Sequence, residues 1–106
     1  MVGSAGNIAY AMSKGAIQSI TKALSIELAP KHIRVNCVAH GFMHTKMETT
    51  VNKYFDDEHE SILNSLHPLG IGDVEDDANS VVFLLSESSK WTTGSIFSVD
   101  GGFTAQ

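Results

Sequence analysis

Tyr10 and Lys14 stand four residues apart, so on a helix both side chains project from one face. An ammonium close to a phenol favours the phenolate and lowers the tyrosine pKa, which turns a tyrosine into a usable acid or base near neutral pH. Such a pair suits proton exchange with a substrate hydroxyl or carbonyl. Taken alone, the spacing is more commonly that of an ordinary surface pair, so its weight depends on what surrounds it.

Other residues of chemical interest carry less. His40 and His44 have the spacing of metal ligands on a helix, but Gly41 turns the chain between them and no Cys or carboxylate cluster accompanies them, so they read as loop histidines and no metal is expected. Gly3 and Gly6 precede the first helix with no strand before them, which is not the strand-loop-helix setting of a phosphate cradle. Cys37 reads as a small buried hydrophobe rather than a nucleophile. His32, His59 and His67 have no evident role, and Trp91 and Phe97 read as packing residues.

The elements that must position the pair follow from periodicity. Ile17, Ile20, Leu24 and Leu28 recur at helical spacing with Ala16 and Ala23 beside them, which predicts a long amphipathic helix from Tyr10 to Ala29, stopped by Pro30. Ile33–Val38 is short and β-rich and is expected to be a strand ended by Gly41. Residues 42–67 predict one or two short helices, with Asp56, Asp57, Glu58 and Glu60 facing water. Asp73 with Asp76 three residues on is a capping-box variant that opens a helix carrying Val74, Ala78, Val81, Val82 and Leu85 on one face. Ser86–Thr93 is a turn, and Ser95–Val99 a second strand ending at Asp100-Gly101-Gly102. The order helix, strand, helix, helix, strand implies a parallel pair joined by a crossover, and two parallel strands alone make a poor sheet.

Composition bounds the class of function. Of the 106 residues 42% are hydrophobic and 18% charged, a globular balance for one small domain. Seven Lys and Arg against twelve Asp and Glu leave a net charge of -5, which argues against a nucleic-acid partner. No apolar run approaches the roughly 20 residues of a membrane helix, and no secretion signal opens the chain. A single cysteine fits a reducing compartment, so the expected location is cytoplasmic.

Five blocks together resemble the short-chain dehydrogenase/reductase family. Tyr10-Ala11-Met12-Ser13-Lys14-Gly15-Ala16 looks like its Tyr-x-x-Ser-Lys-x-Ala helix start. Leu28-Ala29-Pro30 with Ile33–Val38 is similar to its helix-to-strand passage, and His40–Thr45 stands where the family has Pro-Gly-x-x-x-Thr. Pro68-Leu69-Gly70, Phe83–Ser86, Thr93-Gly94 and Val99-Asp100-Gly101-Gly102 complete the pattern, so the resemblance covers essentially the whole chain.

That resemblance implies an α/β fold, the C-terminal part of a Rossmann-type doubly wound parallel sheet, and an oxidoreductase moving hydride between NAD or NADP and a small-molecule alcohol or ketone. Tyr10 matches the proton donor or acceptor at the carbinol oxygen. Lys14 matches the lysine that lowers the tyrosine pKa and binds the nicotinamide ribose. His40, Gly41, Phe42 and Thr45 fall in the cofactor loop, with the Phe42 backbone toward the nicotinamide amide and Thr45 hydrogen-bonded to the cofactor. Met43, Met47, Val51 and Tyr54, with Phe55, lie in the variable substrate-covering segment and line an apolar pocket or simply pack in the core. A 3-oxoacyl thioester, a sugar and a cyclic ketone are all candidate substrates. The family commonly forms dimers and tetramers through the long helix and the last helix and strand, which implies a homo-oligomer.

Two departures shape the expectation. The family's glycine-rich phosphate loop, ribose reader and catalytic serine belong upstream of Tyr10; Ser4 is too close by spacing and Ser13 lies inside the motif. Residues 1–106 are therefore expected to be a C-terminal fragment of one domain, inactive by itself. The alternative is a non-catalytic piece that serves only in oligomerisation or interaction. His40 replaces the family's proline, which fixes the turn and lacks an N–H.

Overall fold

Helix α1 (Ile8–Leu28) runs without proline and ends where Pro30 enters a short 3-10 turn, Ala29–Lys31. A computed structural model of the chain describes residues 7–44 and 57–106. After α1 come β1 (Cys37–His40), β2 (Met43–His44), α2 (Asp57–Leu66), β3 (Gly72–Asp73), α3 (Val74–Leu85) and β4 (Ile96–Val99). Ser4, Gly3, Gly6, Thr45, Met47, Val51, Tyr54, Phe55 and Asp56 lie outside the described residues.

Strand β1 pairs with β4, and β2 with β3. Cys37 N–H donates to Ser95 O and Gly41 N–H to Val99 O, both at 2.9 Å. The partner advances by the same step on both strands, so this pair is parallel, as the crossover argument expects. The β2–β3 pair is also parallel, Met43 opposite Gly72 and His44 opposite Asp73. The sequence contains no run that would have announced those two short strands.

Two compact units divide the chain: Met1–Val38 with Val82–Phe97, and Ala39–Val81 with Ser98–Gln106. In the first, α1 departs from the expected amphipathic pattern. Ile17 and Ile20 are 48% and 54% exposed, and the buried residues of the helix are Thr21 and Ser25. The hydroxyls make this possible because each returns a hydrogen bond to its own helix, Thr21 to Ile17 O at 2.8 Å and Ser25 to Lys22 O at 2.7 Å. Gly94 closes on that face. Its φ is +70°, and a Cβ there would sit 2.7 Å from the Ser25 hydroxyl, so glycine meets both the conformation and the space.

The strand expected over Ile33–Val38 starts only at Cys37 and runs on to His40. Before it one backbone bond remains, Gly94 N–H to Val35 O at 2.7 Å, and side chains make the others. Asn36 donates to Thr92 O at 2.9 Å and accepts from Ser95 N–H at 3.1 Å, while Val35 N–H donates to the Thr93 hydroxyl at 3.1 Å. The Arg34 guanidinium gathers Leu84 O, Thr92 O and Ser86 O at 2.8, 3.2 and 3.4 Å. Leu84 is the only buried hydrophobic residue among those described, at 7% exposed, whereas Val81, Val82 and Leu85 of the expected α3 face are exposed. Phe97 packs, its ring 6.1 Å from that of Phe83. Trp91 does not: it is 98% exposed, contrary to its reading as a packing residue.

In the second unit α2 carries Asp57, Glu58 and Glu60 in its first turn, where carboxylates oppose the positive end of the helix dipole. Helix α3 opens with one arm of the expected capping box: Asp76 Oδ2 accepts the Asp73 N–H at 2.9 Å.

Candidate active site

Tyr10 and Lys14 both lie in the first turns of α1, in the first unit. Tyr10 is 58% exposed, and the Lys14 Nζ stands over its ring, 5.2 Å from the centroid. The helix brings the two together because residues four apart stack on one face and long side chains lean toward the N-terminus. An ammonium in this position is attracted by the ring's negative face, an interaction worth about 0.5–1 kcal/mol where exposed. Ser13, between them in sequence, turns away: its hydroxyl donates to Tyr10 O at 2.7 Å. The pair therefore offers one phenol and one cation to solvent, which is the equipment for holding a proton next to an oxygen substituent.

The cofactor-loop candidates lie in the second unit. His40 is exposed, with its Nδ1 3.0 Å from Gly41 O. Gly41 continues the β1 ladder, and a Cβ on it would lie 2.8 Å from Asp100 Cα, closer than any real side chain tolerates. Phe42 is about half exposed, yet both of its backbone groups are engaged: the N–H donates to His67 Nε2 at 3.3 Å and the carbonyl accepts the Gly72 N–H at 3.1 Å. Met43 pairs across to Gly72 in the short β2–β3 ladder. Thr45, Met47, Val51 and Tyr54 lie outside the described residues.

Two groups that sequence reasoning left without a role define this loop. His67 is only 3% exposed; its Nδ1 is 2.7 Å from Leu63 O, its ring stacks on Phe103 at 5.0 Å between centroids, and it meets the Phe42 ring edge-on at 6.2 Å. A carbonyl can only accept, so Nδ1 carries the proton and Nε2 is the acceptor for Phe42. The available signal was a histidine at a helix C-terminus, four residues after Leu63, where a ring N–H can satisfy a terminal carbonyl. Asp100 accepts the Thr104 hydroxyl at 2.5 Å, the Thr104 N–H at 3.1 Å and the Gly102 N–H at 3.1 Å. The Thr104 hydroxyl bond is the main reason its carboxyl is held below the usual carboxylate range; the two backbone N–H groups add to this and burial opposes it.

Among the described residues no three His, Cys, Asp or Glu side chains converge as a metal set. Nor is any described helix long and apolar enough to cross a membrane.

A family model described as enoyl-(acyl carrier protein) reductase matches residues 1–104. The 3-oxoacyl-(acyl-carrier-protein) reductase of Chlamydia trachomatis is 43% identical over 101 residues, 94% of this chain and 39% of its own length. The chain thus spans about two-fifths of the curated relatives it matches. Among solved structures, a short chain dehydrogenase family protein from Francisella tularensis superposes with a TM-score of 0.91 at 37% identity, covering 100% of this chain and 47% of that one. A 4-hydroxyisoleucine dehydrogenase complexed with NADH gives 0.84 at 30% identity, over 92% of this chain and 40% of that one.

Proposed function

The chain belongs to the short-chain dehydrogenase/reductase family, and we propose that it serves hydride transfer between NAD or NADP and a small-molecule alcohol or ketone. The observation that carries this reading is the Lys14 ammonium held 5.2 Å from the Tyr10 ring centroid at an exposed helix start. Tyr10 gives or takes the proton at the substrate's carbinol oxygen. Lys14 stabilises the negative charge that this exchange leaves on the phenol oxygen and lends N–H donors to ribose hydroxyls.

The donor set fits a nicotinamide nucleotide, which when bound supplies or accepts the hydride. The loop from His40 to Thr45 follows the carboxyl end of β1, where open α/β sheets hold their ligands. Because the Phe42 N–H is committed to His67, what that residue offers a carboxamide is the second lone pair of its carbonyl oxygen. His40 and Gly41 shape the turn, and Thr45 hydrogen-bonds the cofactor. Met43, Met47, Val51 and Tyr54 face the substrate, for which a 3-oxoacyl thioester is the first class to try, since a relative at 43% identity is named for it.

The test follows NADH and NADPH absorbance with 3-oxoacyl thioester, sugar and cyclic ketone, using the natural polypeptide that carries this chain. Tyr10→Phe is expected to lower turnover by about 10²-fold or more. Undiminished turnover in that variant sinks the reading.

A second reading, self-association through α1, is favoured by the exposure of Ile8, Met12 and Ile26 along that helix. It expects a homo-oligomer in a reducing, cytoplasmic setting. Light scattering that finds only an 11.4 kDa species would count against it.

A further inference from the structure

We propose that His67 is a positioning residue for the loop after β1, acting as a neutral, single-tautomer bridge from the end of α2 to the Phe42 backbone. The assignment rests on geometry within one unit. The ring is buried, and both of its nitrogens are used: Nδ1 on Leu63 O at 2.7 Å and Nε2 on the Phe42 N–H at 3.3 Å. The backbone N–H of the same residue donates to Asn64 O at 3.2 Å, so His67 satisfies two carbonyls of the last turn of α2 as well as the loop. Phe103 lies nearly parallel to the ring, 17° between planes, and fixes its orientation.

These bonds have a direction. Leu63 O requires a donor at Nδ1; with the ring neutral, Nε2 is then left as an acceptor and takes the Phe42 N–H. Turning the ring or moving the proton breaks both bonds at once. On the proposed function, the loop so held is the one that meets the nicotinamide, and the inference about cofactor geometry rests on that reading. The tautomer itself does not.

Three measurements test the proposal. Long-range ¹H–¹⁵N correlation of the imidazole in the unmutated chain is expected to show His67 protonated at Nδ1 and bare at Nε2; an Nε2–H tautomer overturns the assignment. His67→Gln keeps an acceptor near the Nε2 position, whereas His67→Asn keeps only a group near Nδ1. Phe42 amide exchange is expected to stay within about twofold of the unmutated chain in the first and to quicken about fivefold or more in the second, the scale of one hydrogen bond. Equal exchange in both variants, fast or slow, means that the ring acts by packing alone and overturns the proposal.

Titration of the natural polypeptide that carries this chain with NADH and with NADPH, read on the amides of residues 41–44, separates the two ideas. No shift there, with the tautomer and exchange contrast intact, retires the cofactor reading of the loop and leaves His67 as its anchor. Shifts with the wrong tautomer retire the anchor and leave the cofactor reading.

Discussion

The guanidinium of Arg34 donates to the carbonyl oxygen of Leu84 at 2.8 Å, across fifty residues of sequence. It thereby closes the last turn of α3, and its other bonds reach Ser86 O and Thr92 O in the segment that follows. Hydrogen bonds from a charged donor contribute about 1.5–3 kcal/mol each. Arg34→Ala is expected to lower unfolding stability by about 2–3 kcal/mol, and Arg34→Lys to recover only part of it, since an ammonium cannot span the same carbonyls. Urea denaturation followed by far-ultraviolet circular dichroism measures both; equal midpoints for Arg34→Lys and the unmutated chain would contradict the clamp.

Gly41 is set by space, not by backbone conformation. A Cβ there meets Asp100 Cα at 2.8 Å and Asp100 O at 3.2 Å, both on backbone that cannot swing aside. Gly41→Ala is expected to cost about 1–3 kcal/mol through overpacking and to speed exchange of the Gly41 amide bonded to Val99.

The Asp100 carboxylate gives a pH dependence of known sign. Its pKa is lowered in the folded chain, so the unfolded state binds the proton more tightly. The stabilisation is fully present above the ordinary carboxylate value of 3.8 and is lost as pH falls through the lower folded value. Thr104→Val removes the hydroxyl bond and is expected to cost about 1 kcal/mol at neutral pH. The same variant should also flatten the acid limb of the stability curve below about pH 4, near the ordinary carboxylate pKa. Denaturation midpoints at a series of pH values check both.

His32 adopts φ 56°, the left-handed conformation, at the turn that closes α1. A side chain there costs about 1 kcal/mol or more, partly offset in glycine by the entropy of its freer unfolded chain. His32→Gly is expected to raise stability by a few tenths to about 1 kcal/mol, read as a higher urea midpoint.

What the sequence made legible was local. Tyr10 and Lys14, Asp73 and Asp76, and the stop at Pro30 are relationships within a turn of chain, and each appears as expected. The long-range pieces were hidden. Asn36 and Arg34 interrupt the expected strand because their partners lie fifty or more residues away. His67 depends on a backbone N–H 25 residues upstream, which no periodicity announces. Helix α1 buries hydroxyls rather than its isoleucines because a Thr or Ser that bonds its own helix is no longer costly to bury, so a hydropathy pattern points to the wrong face.

Trp91 is the sole tryptophan of the chain, and its indole is surrounded by water in the folded state. Its fluorescence should already have the red emission of a solvated indole before any denaturant is added. Unfolding will leave that colour almost unchanged, so emission is a poor reporter for the stability experiments above. The same property makes it a clean optical probe for anything else: a blue shift at constant circular dichroism would mean that another surface has come to rest on the Trp91 turn.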